Sequence, residues 1–246
     1  METTDRFGPG VAEHYDSDDD VRFTPEHLAL ESGFLAALGG RALEFAVGTG
    51  RIALPLRARG VEVHGIDLSA AMVAQLRAKP GGADLPVVVG DYTSTRVPGE
   101  FDLVYLVYNT IGNVTTQDAQ VATFANAARH LRPGGCFVVE TGVPQVRPGE
   151  RFRVFRHDAR GVGYDEYDVD DPAAQRMWSH HVTDGVRRSI PFRYVWPAEL
   201  DLMARLAGMR LRERWGWWDR SAFTGRSASH VSVWEAVREP VRERHS

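Results

Sequence analysis

The sequence predicts an α/β fold: a doubly wound, largely parallel sheet with an antiparallel β insert. Three observations predict it. Short apolar runs alternate with amphipathic stretches from about residue 41 to 142, as strands alternate with crossover helices. A Gly-x-Gly turn, "GTG", joins the first of these runs to the stretch that follows. After Pro144 the chain changes character, and Asp184-Gly185 reads as a hairpin turn between two strand-like segments.

Each element follows in chain order. The first 23 residues carry no clear period. In "TPEHLALESGFLAALGG", Thr24 suits a helix cap, Pro25 the first helical position and Glu26 the positive helix end, while Gly39-Gly40 stops the helix. "RALEFAV" reads as a strand and "RIALPLRARG" as a helix. "VEVHGIDLS" is a strand ending on Asp67, and "AAMVAQLRAKPGG" a helix ended by Pro80 and Gly81. "LPVVVGDYT" is a strand ending on Asp91, and "FDLVYLVYNT" a strand ending on Asn109. "TQDAQVATFANAARHLRPGG" is a long helix and "CFVVETGV" another strand. Antiparallel strands then fill an insert of about residues 145–196. "PAELDLMARLAG" restores a helix, and "MRLRERWGWW" and "HVSVWEA" are the last strands. Without a repeat or a low-complexity linker, residues 1–246 read as one domain.

Bulk properties narrow the function. The chain has 246 residues, 43% of them hydrophobic, enough for one sizeable core. A net charge of −4 leaves no electrostatic footprint for nucleic acid or an anionic membrane. No apolar run approaches the ~20 residues of a membrane span, and the polar, acidic N-terminus is unlike a signal peptide, so a cytoplasmic protein is expected. The single cysteine, Cys136, falls in an apolar strand. No metal is expected, because His180 and His181 are adjacent on a strand and point to opposite faces.

Gly48, Gly50 and Ala53 satisfy the G-x-G-x-x-G/A pattern shared by nucleotide folds. A P-loop is excluded: no Lys-Ser or Lys-Thr follows, and the only lysine, Lys79, is remote in sequence. Asp67 is placed to accept from a ribose diol. Asp91 is placed to accept from an exocyclic adenine amine, with Tyr92 or its backbone lining the base. Glu44, four residues before Gly48, would repel a pyrophosphate but suits an ammonium.

The stretches "LEFAVGTGR", "VHGIDLSAAM", "VVVGDY", "FDLVYLVYNTIGNV" and "HLRPGGCFVVE" resemble class I S-adenosylmethionine-dependent methyltransferases in order and spacing. "AEHYD" and the insert resemble the small-molecule branch that includes glycine and amino-sugar N-methyltransferases. The resemblance implies a Rossmann-like seven-stranded sheet whose last strand is antiparallel. It also implies S-adenosylmethionine as methyl donor and S-adenosylhomocysteine as product. The backbone around Ala46, Gly48 and Gly50 then packs under the methionyl part, with Glu44 near its ammonium. Asp67 holds the ribose, and Leu68 and Met72 meet the adenine. Asp91 and Tyr92 take the adenine edge, and Asn109 lies beside the methionyl group and the substrate. Tyr15 closes over the donor from an N-terminal lid, residues 1–39. Arg22 pairs with the donor carboxylate or forms a structural ion pair.

On the acceptor side, ligands lie beyond the carboxyl ends of the parallel strands. A final antiparallel strand starts there, so "WGWWDR" and His230 are expected to face the pocket, with Trp215, Trp217 and Trp218 as an apolar wall or as ordinary sheet-edge packing. Arg193 and Tyr194 offer polar tips from the insert hairpin. Asn113 stands where amino-sugar enzymes tend to carry a histidine. Asparagine orients but takes no proton, so Tyr15, His230 or water is left as base. The expected activity is methyl transfer to N or O of a small, biosynthetic metabolite. A nicotinamide-dependent oxidoreductase and a non-catalytic donor-binding protein stay open, as does a homodimer built by the insert strands.

Overall fold

The computed structural model describes residues 5–17, 21–144, 152–158, 161–183 and 186–237. Seven strands form one sheet: β1 (Arg41–Phe45), β2 (Glu62–Asp67), β3 (Val87–Val89), β4 (Phe101–Leu106), β5 (Leu131–Gly142), β10 (Met209–Trp215) and β11 (Ser229–Ala236). Their order is β10-β11-β5-β4-β1-β2-β3. The pairs among β1 to β5 are parallel, and β11 runs antiparallel to both β5 and β10. That is the expected Rossmann-like sheet. The chain order reverses at β1 and β4, and such a switch point opens a crevice at the strand carboxyl ends.

Six α-helices are described: α1 (Pro9–Ala12), α2 (Pro25–Ala36), α3 (Ala53–Ala58), α4 (Ala70–Ala78), α5 (Gln117–His130) and α6 (Pro197–Leu206). Thr24, Ser69 and Thr116 cap α2, α4 and α5 by accepting from the main-chain N–H three residues on. Two cores cover the sheet. Phe45, Phe124, Phe137 and Trp234 lie on the α5–α6 side. Leu35, Leu56, Tyr105, Val138 and Trp218 lie on the α2–α3 side.

The insert is a separate four-stranded antiparallel sheet: β6 (Phe152–Asp158), β7 (Gly161–Asp171), β8 (Arg176–Thr183) and β9 (Val186–Arg193), paired in that order. β8 and β9 form the expected hairpin, with Thr183 opposite Val186; the turn residues Asp184 and Gly185 lie outside the described residues. Phe192 of β9 seats the insert on a 3₁₀ turn, Thr110–Asn113, where a Cβ at Gly112 would overlap its ring.

Several strands end earlier than the sequence suggests. β3 stops at Val89 and β4 at Leu106, so Asp91 and Asn109 stand in the turns beyond. Asn109 and its neighbour Tyr108 take left-handed φ values of 58° and 62°, which cannot continue a strand.

Candidate active site

The glycine turn leaves β1 through three left-handed residues, Ala46 (φ 56°), Gly48 (φ 55°) and Gly50 (φ 80°). A Cβ at Gly50 would press on Leu54 and Leu76 at 3.1 Å, so this glycine lets α3 and α4 close on the turn. Asp67, at the end of β2, ties the turn down. Its Oδ2 accepts from Gly48 N at 2.7 Å and its Oδ1 from Ser69 N at 2.8 Å. Each oxygen keeps a further lone pair for a ligand hydroxyl. Burial raises the Asp67 pKa against these two bonds. Leu68 is half-buried and Met72 buried beside the turn. Asp91 Oδ1 accepts from Thr93 N at 2.8 Å. The ring of Tyr92 belongs to the core rather than to a base-binding edge: it stacks on Phe45 at 5.8 Å, and its hydroxyl donates to Thr110 O at 3.2 Å. Only the Tyr92 main chain is left to line a base.

Beneath the turn lies a buried charge cluster. Glu44 accepts from the Tyr105 hydroxyl at 2.9 Å, and burial pushes its pKa well above the carboxylate range. Arg51, directly after the turn, donates to both oxygens of Glu31, at 2.9 and 3.3 Å, and to Arg22 O at 3.0 Å. Glu140 Oε2 accepts from Tyr108 N at 2.6 Å, and Asn109 N donates to Glu140 O at 3.2 Å. These bonds hold the left-handed pair at the end of β4. The Arg22 guanidinium sits 4.1 Å above the Tyr108 ring, and its charge faces Glu140. Asn109 Oδ1 accepts from Thr141 Oγ1 and from Gly142 N, which leaves its amide nitrogen as the donating end. Glu31, Arg51, Tyr108 and Glu140 were not legible as site residues, because their partners lie twenty or more residues away in sequence.

The N-terminal segment lies over this assembly. Tyr15 packs edge-on against Phe7 (6.3 Å), Phe23 (5.9 Å) and Tyr108 (6.4 Å), and burial pushes its phenol up to about 12. Ser69 Oγ donates to Phe7 O at 2.7 Å. Asp16 accepts from Thr49 Oγ1 at 2.7 Å and pairs with Lys79 Nζ at 2.6 Å, while Lys79 also donates to Thr49 O at 2.7 Å. The lysine remote in sequence is thus folded onto the glycine turn.

The acceptor-side expectations divide. Asn113 closes the 3₁₀ turn under the insert, half-buried. His230 is fully buried at the start of β11. Arg193 is a strut: its guanidinium donates to Gln120 Oε1, to Gln175 Oε1 at 2.9 Å and to Glu199 Oε1 at 2.7 Å, so three of its five donors are used inside the fold. Tyr194 is buried beside it, its hydroxyl 3.5 Å from Pro172 O. Trp218 packs edge-on to Phe34 at 5.3 Å, and Trp217 lies 5.5 Å from His27, both on α2. Trp215 Nε1 donates to Glu213 at 2.9 Å. The tryptophans meet α2 and β10, the packing alternative, because the chain after β10 folds back over the α2 side of the sheet.

The donor set fits S-adenosylmethionine: a carboxylate with spare lone pairs for a diol, a second carboxylate for an amine, a thioether and a half-buried leucine for a flat base, and carboxylates beneath for cationic charge. Residues 42–135 match the methyltransferase domain family. The chain is 28% identical over 209 residues to the cypemycin N-terminal methyltransferase of a Streptomyces species, covering 80% of this chain and 83% of that one. It is 33% identical to the CcbJ methyltransferase from Streptomyces caelestis, with a TM-score of 0.85 over 97% of this chain and 100% of the other. It shares its fold with S-adenosylmethionine-bound CalS10, an amino pentose methyltransferase from Micromonospora echinaspora (19% identity, TM-score 0.67, 96% and 100% of the two chains). The chain belongs to the class I S-adenosylmethionine-dependent methyltransferases.

Proposed function

We propose that this methyltransferase acts on an amine nitrogen of a small biosynthetic metabolite. One observation carries the reading: the three polar side chains assigned to the acceptor end are poor bases near neutral pH. The Tyr15 phenol is held protonated, with its pKa pushed up to about 12. Asn113 takes no proton. Burial, helped by the charge of Arg214, pulls His230 down to about 4. An alcohol needs a base to become a good nucleophile; a neutral amine does not. The bound donor supplies an electrophilic methyl. The nitrogen lone pair forms the new N–C bond, the S–C pair stays on sulfur as a thioether, and the extra proton departs on the ammonium product, to be lost to solvent after release. Tyr15 and Asn109 then orient the amine, and the lid excludes water. Asp67 and the Asp91 turn hold the nucleoside, with the acids under the turn facing the methionyl ammonium. Three of the similar proteins are named for nitrogen, an N-terminal methyltransferase and two amino-sugar N,N-dimethyltransferases, while another is named a demethylmenaquinone methyltransferase.

The test is methyl-tritiated S-adenosylmethionine offered with paired amines and alcohols of one carbon skeleton. Label should enter the amine, with a rate that rises as the amine deprotonates. Label confined to the alcohol would overturn the nitrogen assignment.

A further inference from the structure

Among the described residues, the buried Nε2 of His230 has no hydrogen-bond partner. We infer that His230 is a fixed hydrogen-bond donor for an oxygen of the methyl acceptor, its proton held on Nε2 by an Arg214–Ser232 relay. The inference rests on the methyltransferase reading and gives its acceptor a second recognised group.

The relay follows from which groups can donate. Arg214 is clamped by Asp201, donating to its two oxygens at 2.7 and 3.2 Å, and Trp234 Nε1 donates to the same carboxylate at 2.9 Å. Arg214 Nε then donates to Ser232 Oγ at 2.7 Å. A guanidinium only donates, so Ser232 accepts there and keeps its own proton for another partner. That partner is His230 Nδ1, 2.8 Å away. Among the described residues the Ser232 hydroxyl has no other acceptor, so Nδ1 takes its proton and the one proton of a neutral imidazole sits on Nε2. The charged groups facing the ring are Arg214, which opposes a second proton, and Asp201, which favours one but is paired to Arg214.

Placement points the donor at the acceptor end. His230 lies opposite Thr141 in the β11–β5 register, and directly opposed residues share a sheet face. Thr141 Oγ1 donates to Asn109 Oδ1, so His230 extends the row of strand ends that carries the β4 turn. Phe223 packs edge-on to the imidazole at 5.8 Å, half-buried on a loop whose neighbours Ala222, Thr224 and Gly225 are exposed, with the Arg214 guanidinium 5.7 Å from its ring. That ring must turn aside when the acceptor binds. An N–H donor selects a hydroxyl, ether, carbonyl or carboxylate oxygen and rejects a second ammonium. The acceptor class is accordingly an oxygen-bearing amine rather than a plain alkylamine, and His230 is a specificity residue rather than the base.

Two readouts test this on the full chain. Long-range nitrogen–proton NMR of histidine-labelled protein loaded with S-adenosylhomocysteine, assigned with His230→Gln, should give the Nε2–H tautomer; Ser232→Ala should mix the tautomers. An Nδ1–H tautomer in the unmodified protein would overturn the relay. Calorimetry of the loaded protein should then compare an amino alcohol with the alkylamine lacking its oxygen. The amino alcohol should bind about tenfold tighter, the worth of one hydrogen bond. His230→Leu should abolish that difference. His230→Gln, whose carbonyl can accept from Ser232 while its amide donates, should keep it. Equal binding of both amines, or an unchanged preference in His230→Leu, would overturn the recognition. In transfer assays, a rate limb lost in His230→Gln would make the residue a base and sink the donor role. Failure of every amine to accept label would refute the nitrogen reading alone, since tautomer and binding are read without turnover.

Discussion

The Asp67 carboxylate has a structural duty in the fold and, in the proposed function, a ligand duty as well. It was legible from sequence as an acid ending the second strand of a glycine-turn unit, which is the ribose position of such folds. Its structural duty was not legible: bonds from Gly48 N and Ser69 N fasten the turn and the start of α4. Asp67→Ala should weaken S-adenosylhomocysteine binding by about 2–3 kcal/mol, the worth of charge-assisted bonds to two hydroxyls. It should also cost about 1 kcal/mol of ligand-free stability, since two main-chain N–H groups lose their acceptor while a buried carboxylate is removed. Calorimetry and urea unfolding measure the two effects separately. A stability loss without any loss of affinity would place the ribose elsewhere. Arg193 has a structural role that the sequence does not announce. An arginine between aromatic residues reads as a ligand contact, but Gln120, Gln175 and Glu199 converge on it from other elements to make a strut. No local pattern announces such partners.

Among the elements, the N-terminal segment meets the glycine turn where Thr49 Oγ1 donates to Asp16, and Lys79 bridges the two, pairing with Asp16 and donating to Thr49 O. The partners are partly exposed, at 30% for Lys79 and 39% for Asp16, so solvent screens the ion pair. Lys79→Met should therefore speed S-adenosylhomocysteine release by about two- to fivefold, as expected for an exposed pair. Stopped-flow dissociation reads this, and an unchanged release rate would show that the aromatic cluster around Tyr15 holds the lid alone. The insert depends on Gly112 in the same local way. Gly112→Ala should displace Phe192 and lower stability by about 1–3 kcal/mol, the usual cost of overpacking, with methyl transfer falling together with the insert's docking. Unaltered thermal unfolding would mean the insert is not seated on that turn. The alternation of strands and helices was readable because burial on both faces imposes it. The strands end short of Asn109, where the left-handed pair Tyr108–Asn109 is held by Glu140, and short of Asp91, whose carboxylate accepts from Thr93 N in a local turn. The docking of β9 on the 3₁₀ turn joins segments some eighty residues apart, beyond any local signal.

At the scale of the molecule, the net charge of −4 conceals an uneven distribution. Glu31, Glu44, Asp67 and Glu140 are all buried around the donor side, and burial raises each, Glu31 to about 7. A carboxyl with a raised folded pKa stabilises the fold below its unfolded value, and that contribution is lost as pH rises through the folded pKa. His230, lowered from 6.5 to about 4, works in the other direction: its contribution is complete above 6.5 and is lost as pH falls toward 4. Between pH 6.5 and 8, then, only the carboxyls tilt the balance, and the ligand-free protein should lose thermal stability as pH rises. The methionyl ammonium favours the ionised form of the acids beneath the turn, of which Glu31 titrates at about 7. Binding of S-adenosylhomocysteine should therefore release protons, tighten as pH rises through this window, and flatten the fall in melting temperature. Calorimetry in buffers of differing ionisation enthalpy counts the protons directly. Zero release, with parallel pH slopes for free and bound protein, would mean that Arg22 and Arg51 already keep the acids ionised. The buried carboxyls would then be scaffold for the turn rather than counter-charges for the donor.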